Sequence, residues 1–341
     1  MHSLSRRSLL RGSLAAAALG SPLPALSEER KTVFMVLWRG ETEVEQGFYS
    51  YLKQIEAPID FVIRSLDRDT GRLKPIIDEI NAMKPDLVYT WGTSVTLGIA
   101  GRDPDLMDGP LDFPPRVTDR PIIFTMVSQP IRSRVIKEFG ATGRNVTGVS
   151  HLVPLETQFE AMQAYMPVDR ISVIYTPTES NSALAVERLA EIGRRMNVRV
   201  DQFPVPNNQE GQPDPDALAD LAAEAAATGS QFLYLGPDSF IGQYAQHVTD
   251  LANAHRLPSF ASVERMLSAS DALYGLVAPY RKVGAFTATK VERVLVHGED
   301  PSEIPVEVLP EFSYLIRSDV ARDLQIYPSL ALMDYAETIE P

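Results

Sequence analysis

Asp86-Leu87-Val88-Tyr89-Thr90-Trp91-Gly92-Thr93-Ser94 is an apolar, β-rich run that ends in small residues and leads straight into a short helix. The run does not alternate polar with apolar, as a half-exposed strand would. That is the mark of a strand buried on both faces of a parallel sheet. The same unit recurs to either side. Thr32–Trp38 precedes a helix over Glu43–Gln54, and Asp60–Leu66 precedes one over Leu73–Met83. Pro121–Val127 leads through Ser128-Gln129-Pro130 into a predicted helix reaching Phe139, and Val146–Ser150 is a further strand. After a helix over Pro154–Tyr165 the pattern begins again. Strands are predicted at Ile171–Tyr175, Val198–Phe203, Gln231–Leu235, Pro258–Ser262 and Ala272–Ala278. The helices between them run to Met196, over Asp216–Thr228 and to Ala254, and a long one follows over Val283–Val296. The tail reads as strand over Val306–Ile316 and helix over Ser318–Leu324. Two successive βα sets in one chain predict an α/β protein of two doubly wound lobes facing each other.

In such sheets ligands bind beyond the carboxyl ends of the strands. Four loops carry small polar residues there: Gly92-Thr93-Ser94, Ser128-Gln129, Glu179-Ser180-Asn181-Ser182 and Asp238-Ser239. Each precedes a predicted helix, whose first free N–H groups favour an anion. These residue types are also ordinary N-caps, and capping alone accounts for any one loop. Two of the loops fall in each set, so they are placed to converge across a cleft. Glu179 and Asp238 suit a ligand ammonium. Trp38 and Arg39 end the first strand beside the same cleft, and Trp38 is retained as a candidate. Tyr89, Tyr175, Tyr234 and Tyr280 read as core. Arg102–Arg120 is long and Pro-rich, precedes a strand, and reads as an insertion at the opposite edge.

Composition excludes several classes. With no cysteine the chain has no disulfide, thiolate metal site or lipid-anchored N-terminal Cys. Ser5-Arg6-Arg7-Ser8-Leu9-Leu10-Arg11, the apolar Leu14–Leu19 and the small residues Ala25-Leu26-Ser27 read as a twin-arginine export leader cleaved near Ser27. A chance arginine pair in a cytoplasmic leader is the alternative. Losing the leader's three arginines takes the formal net charge from −13 to −16, which does not suit nucleic acid or anionic lipid. His151, His247, His255 and His297 show no metal-ligand spacing and read as surface or capping residues. Glu41, Glu43 and Glu45 read as a solvated face. No P-loop, G-x-G-x-x-G or G-x-S-x-G is present, so no cofactor, metal or catalytic residue is expected.

Asn145-Val146-Thr147-Gly148-Val149-Ser150, followed by Leu152-Val153-Pro154-Leu155-Glu156, resembles a stretch of bacterial ABC-transporter substrate-binding proteins of the tryptophan/tyrosine type. Lys84–Val88, Ile171–Pro177, Glu179–Ser182, Phe260–Ser262 and Ile304–Glu307 match in the same order, so the resemblance spans most of the chain. It implies a type I periplasmic-binding-protein fold: two Rossmann-like lobes, three crossovers and a hinge. The expected division is a leader at 1–27, one lobe from 28–149 plus about 278–308, and another from 150–277 plus about 309–341. It implies an exported, periplasmic, non-enzymatic protein that captures an amino acid or related small carboxylate and delivers it to an ABC permease and ATPase. By position, Thr93, Ser94, Ser128, Glu179, Asn181, Ser182, Asp238 and Ser239 would hold the ligand. Ser128-Gln129-Pro130 stands where the family often has Thr-Asp-Pro, and Thr176 where it has Asn before Pro. The loop Trp38-Arg39-Gly40-Glu41 and the stretch Ser262–Asp271 also depart from it. An arginine in that first loop suits a ligand with an extra acid. The alternatives are an exported enzyme with a non-covalent cofactor and a ligand-sensing partner of a receptor kinase.

Overall fold

A computed structural model describes residues 30–106 and 112–339. The segment expected to be an export leader, with its expected cleavage point, lies outside the described residues. Thirteen strands are present among those residues: β1 (Lys31–Leu37), β2 (Ile59–Ser65), β3 (Leu87–Trp91), β4 (Ile122–Thr125), β5 (Val146–Ser150), β6 (Arg170–Tyr175), β7 (Arg199–Pro204), β8 (Phe232–Leu235), β9 (Ser259–Ala261), β10 (Tyr274–Val277), β11 (Glu307–Val308), β12 (Ser313–Arg317) and β13 (Ala336–Ile339). They form two sheets. The first has the order β11-β5-β4-β3-β1-β2 and is parallel throughout. The second has the order β13-β12-β10-β9-β8-β6-β7, and β12 runs antiparallel to β10. That exception arises because β12 comes directly from the first sheet and not through a crossover helix.

Burial on both faces follows the two-residue period of a strand. In β1, Val33, Met35 and Leu37 join one apolar core, while Phe34 and Val36 join another across the sheet. In β8, Phe232 and Tyr234 face one core, and Leu233 and Leu235 the other. The chain passes between the lobes three times: after β5, after β10 and between β11 and β12. Helix Leu155–Tyr165 packs with the second sheet, and helix Tyr280–Leu295 returns to pack on the first. Among the described residues no helix is long and apolar enough to cross a membrane.

Helices Glu43–Gln54, Leu73–Met83 and Ser318–Leu324 stand at their expected bounds. The helix expected between Ser128 and Phe139 does not form. Ser133 N–H bonds the Gln129 carbonyl to make one turn, and Arg134 then enters the left-handed region at φ 58°, which ends it. The helix expected to reach Ala254 breaks at Tyr244 into Ser239–Gln243 and Ala245–Ala254. The tail gains β13 and a short helix, Leu330–Met333. Of the segment Arg102–Arg120, residues 107–111 lie outside the described residues; at its end Asn145 Nδ2 donates to the Arg120 carbonyl at 2.6 Å.

Glu45 corrects the reading of a solvated acidic face. It is fully buried, accepts from Thr42 N–H at 2.8 Å in a capping box, and accepts from the Tyr89 hydroxyl at 2.6 Å. Glu41 and Glu43 are exposed. Helices Glu43–Gln54 and Tyr280–Leu295 meet at two glycines. A Cβ on Gly284 would overlap the Val44 carbonyl, and one on Gly47 the Arg281 carbonyl. The obstruction is backbone, so it cannot swing away. Gly284→Ala should therefore destabilise the protein by about 1–3 kcal/mol, read as a lower urea midpoint at unchanged slope.

Candidate ligand-binding cleft

The carboxyl ends of the two sheets face each other across a cleft enclosing about 550 Å³ of space, partly open to solvent. Eight of the nine residues predicted from the strand-end loops line it: Trp38, Thr93, Ser94 and Ser128 from the first lobe, and Glu179, Asn181, Asp238 and Ser239 from the second. Ser182 does not. It is buried behind the cleft and donates to Asp238 Oδ2 at 2.6 Å.

In the first lobe, Gly92 follows β3 at φ 88°, where a side chain would strain the backbone. The turn it makes opens helix Thr93–Ala100, whose N-terminus has no side-chain cap. The first amides of that helix thus remain available at the cleft. Thr93 and Ser128 are buried, and their hydroxyls find no partner among the described residues.

The second lobe brings two carboxylates. Asp238 caps helix Ser239–Gln243 by accepting from Ile241 N–H at 2.8 Å. It also accepts from Thr176 N–H at 2.7 Å, Thr176 Oγ1 at 3.1 Å and Ser182 Oγ. Four donors fill a carboxylate's acceptor sites. Asp238 therefore ties the connection after β6 to the one after β8, and its acceptor sites are taken up within the lobe, unlike the ammonium-binding role expected of it. Thr176, standing where an Asn is usual, supplies two of those donors.

Glu179 is less fully engaged. Its Oε1 accepts from Asn181 Nδ2 at 2.8 Å and Ser239 Oγ at 3.0 Å and shares the Ser239 amide, at 3.1 Å, with Oε2, which takes only that amide, at 2.9 Å; three donors serve it where four serve Asp238. Burial, and then the charge of Asp238, push its pKa up to about 7 against the pull of those hydrogen bonds. It is the carboxylate with capacity to spare for a cation.

Several lining residues were not retained from the sequence, which placed Arg39 beside the cleft but kept only Trp38. Arg39 stacks its guanidinium over the Trp91 ring at 4.8 Å from the centroid. Met126, Val263, Arg265, Met266 and Tyr280 complete the wall, and His151 corrects the expectation of a surface histidine. His151 is 4% exposed, and burial, followed by the charge of Arg39, drives its pKa down to about 3. It is neutral at any ordinary pH. Val263, Arg265 and Met266 follow β9, another strand end, but a search for small polar residues passes over them. Among the described residues no cluster of His, Asp and Glu could hold a metal ion.

A hinged pair of α/β lobes with polar groups converging from both sides defines a two-lobed solute-binding protein. Comparison with known proteins narrows this. Residues 43–339 match the family described as ABC transporter substrate binding protein. A tyrosine-binding protein of Clostridioides difficile is 27% identical over 269 residues, covering 79% of this chain and 70% of that protein. Among solved structures, a conserved domain protein from Vibrio cholerae superposes with a TM-score of 0.75 at 20% identity, over 91% of this chain and 99% of that one. The structure described as "the ABC domain in complex with L-Trp from Streptococcus pneumonia" gives 0.73 at 20% identity, over 90% and 99%. These two likenesses show the fold, type I periplasmic binding protein. The chain belongs to the ABC transporter substrate-binding protein family.

Two outcomes test the carboxylate assignments. Asp238→Ala strands Thr176 N–H, Ser182 Oγ and the helix cap together, and should lower unfolding stability by about 2–4 kcal/mol in urea titration. Glu179 holds its proton more tightly folded than unfolded, so its contribution falls as pH rises from the usual carboxylate range through about 7. His151 acts in the opposite sense, its contribution being lost as pH falls below 6.5. Glu179→Gln isolates the first effect. Its stability relative to the parent should rise steadily between about pH 5 and 8, measured by urea unfolding across that range.

Proposed function

We propose that this protein is exported by its twin-arginine leader and captures a small amino acid or related carboxylate in the interlobe cleft. It then presents that ligand to the permease and ATPase of an ABC importer. The observation that carries the reading is the opposed chemistry of the two walls. The first lobe offers hydrogen-bond donors and an uncapped helix N-terminus, which suit a carboxylate. The second offers Glu179, which suits an ammonium. A zwitterion spans the two. Thr93, Ser94 and Ser128 would take its acid end, with Glu179 and the Ser239 and Asn181 positions that brace it at the amine end. Trp38 would flank it.

The mechanism is closure by population shift. Only the closed form makes both sets of contacts, so bound ligand makes that form dominant. Family membership and the tyrosine- and tryptophan-binding relatives support the ligand class. The leader sequence supports export.

A thermal-shift screen of the mature chain against amino acids, small carboxylates, nucleosides and sugars tests this. A ligand at about 100 times its dissociation constant adds about 2.7 kcal/mol to stability. Amino acids or carboxylates should raise the melting temperature while sugars and nucleosides leave it unchanged. The reverse result would overturn the reading.

A further inference from the structure

The cleft holds more positive charge than a neutral amino acid needs. Arg39 and Arg265 both line it, one from each lobe. Neither guanidinium has a carboxylate partner among the described residues. Arg39 stacks on the Trp91 ring and is drawn toward Tyr280 and Glu179 without a hydrogen bond or ion pair to either, and the Arg265 Nε is buried with no acceptor among the described residues. The two are near enough to repel each other, and Arg68 adds to that repulsion at Arg39. Half-buried cations of this kind are ordinarily paired. The neutral donors around them are in the same condition. Trp91 Nε1, Thr93 Oγ1 and Ser128 Oγ all belong to residues more than nine-tenths buried, and none has a partner among the described residues. Indole and guanidinium nitrogens only donate, so what they lack is acceptors.

Charge bookkeeping across the cleft is uneven. Asp238 is saturated by the loops of its own lobe, and Glu179 is the one carboxylate left to meet an ammonium. One carboxylate on the ligand would satisfy the uncapped helix and one guanidinium. The other guanidinium would remain unpaired. The aromatic surface is also partly occupied, since Arg39 already covers the Trp91 face on which a ligand ring would stack.

We infer that the ligand is an amino acid carrying a second acidic group, held by Arg39 and Arg265 acting from opposite lobes. This rests on the reading of the cleft as an amino-acid or carboxylate site and adds the specificity-determining pair. Guanidinium forks bind carboxylates in two-point fashion, so each arginine suits one acid oxygen pair. With one arginine on each lobe, the second acid also favours closure.

Isothermal titration of the mature protein with L-glutamate, L-aspartate, L-tyrosine and L-tryptophan decides it. One of the two acidic amino acids should bind at least tenfold more tightly than either aromatic. Arg39→Gln and Arg265→Gln, each checked for an unchanged fold by circular dichroism, should each weaken the acidic ligand at least tenfold. A neutral amino acid has only the shared carboxylate, so its binding should be weakened by one of the two substitutions and change less than threefold in the other. Tighter binding of tyrosine or tryptophan in the parent protein would overturn the inference while leaving the amino-acid reading intact. So would folded variants that bind the acid unchanged. Failure of all four to bind would overturn both.

Discussion

A parallel sheet covered by helices on both faces has nowhere to display polar chemistry except its edges. The alternation along β1, with Val33, Met35 and Leu37 in one core and Phe34 and Val36 in another, consumes both faces of that strand. Because the strands run the same way, their carboxyl ends collect on one rim, and the helices that follow begin there. Free backbone amides and side chains from distant parts of the sequence are thereby brought together. Two such rims turned toward each other make a cleft without any dedicated segment of chain.

The walls of that cleft differ in kind, and the difference is built by local hydrogen bonding. Asp238 gathers Thr176, Ser182 and Ile241 onto one carboxylate, so its charge is used to fix the loops of the second lobe. The same anion raises the proton affinity of Glu179 beside it. Asn181 and Ser239 hold the Glu179 side chain in place by donating to Oε1. The result is one exposed acceptor edge on a rigid support. The first lobe does the opposite, leaving a helix start uncapped behind Gly92 and donors without acceptors.

The sequence is legible where the governing physics is local. Strand runs and helix periods locate nearly every element, and the polar residues of the strand-end loops supply seven cleft positions, with Trp38 an eighth. It is misleading where one residue type serves two environments. Glu45 looks like its neighbours Glu41 and Glu43, but a capping box and Tyr89 bury it. Ser182 and Asp238 look like ligand contacts, but they bond to each other. Ser128-Gln129-Pro130 begins like a helix, yet Arg134 adopts a left-handed backbone that ends the turn. Trp91, His151 and Arg265 carry no motif at all. Their place in the cleft depends on which strand end each follows, and that requires the topology.

Closure has to draw its energy from the ligand. The ion pairs that join the lobes directly, Arg132 to Glu187 and Glu191, include side chains from 28% to 66% exposed. Exposed pairs contribute only about 0–1 kcal/mol each. Against them stand the repulsion between Arg39 and Arg265, offset in part by the attraction of Arg39 to Glu179, and the buried donors that go without acceptors among the described residues. An unpaired buried polar group costs on the order of 1–3 kcal/mol. Bringing the rims together around nothing is therefore unfavourable, and each acceptor a ligand supplies removes part of that cost from the closed form alone. That difference between the two forms is what a population shift requires. The features that make the empty cleft uncomfortable are thus the ones that make closure depend on a guest.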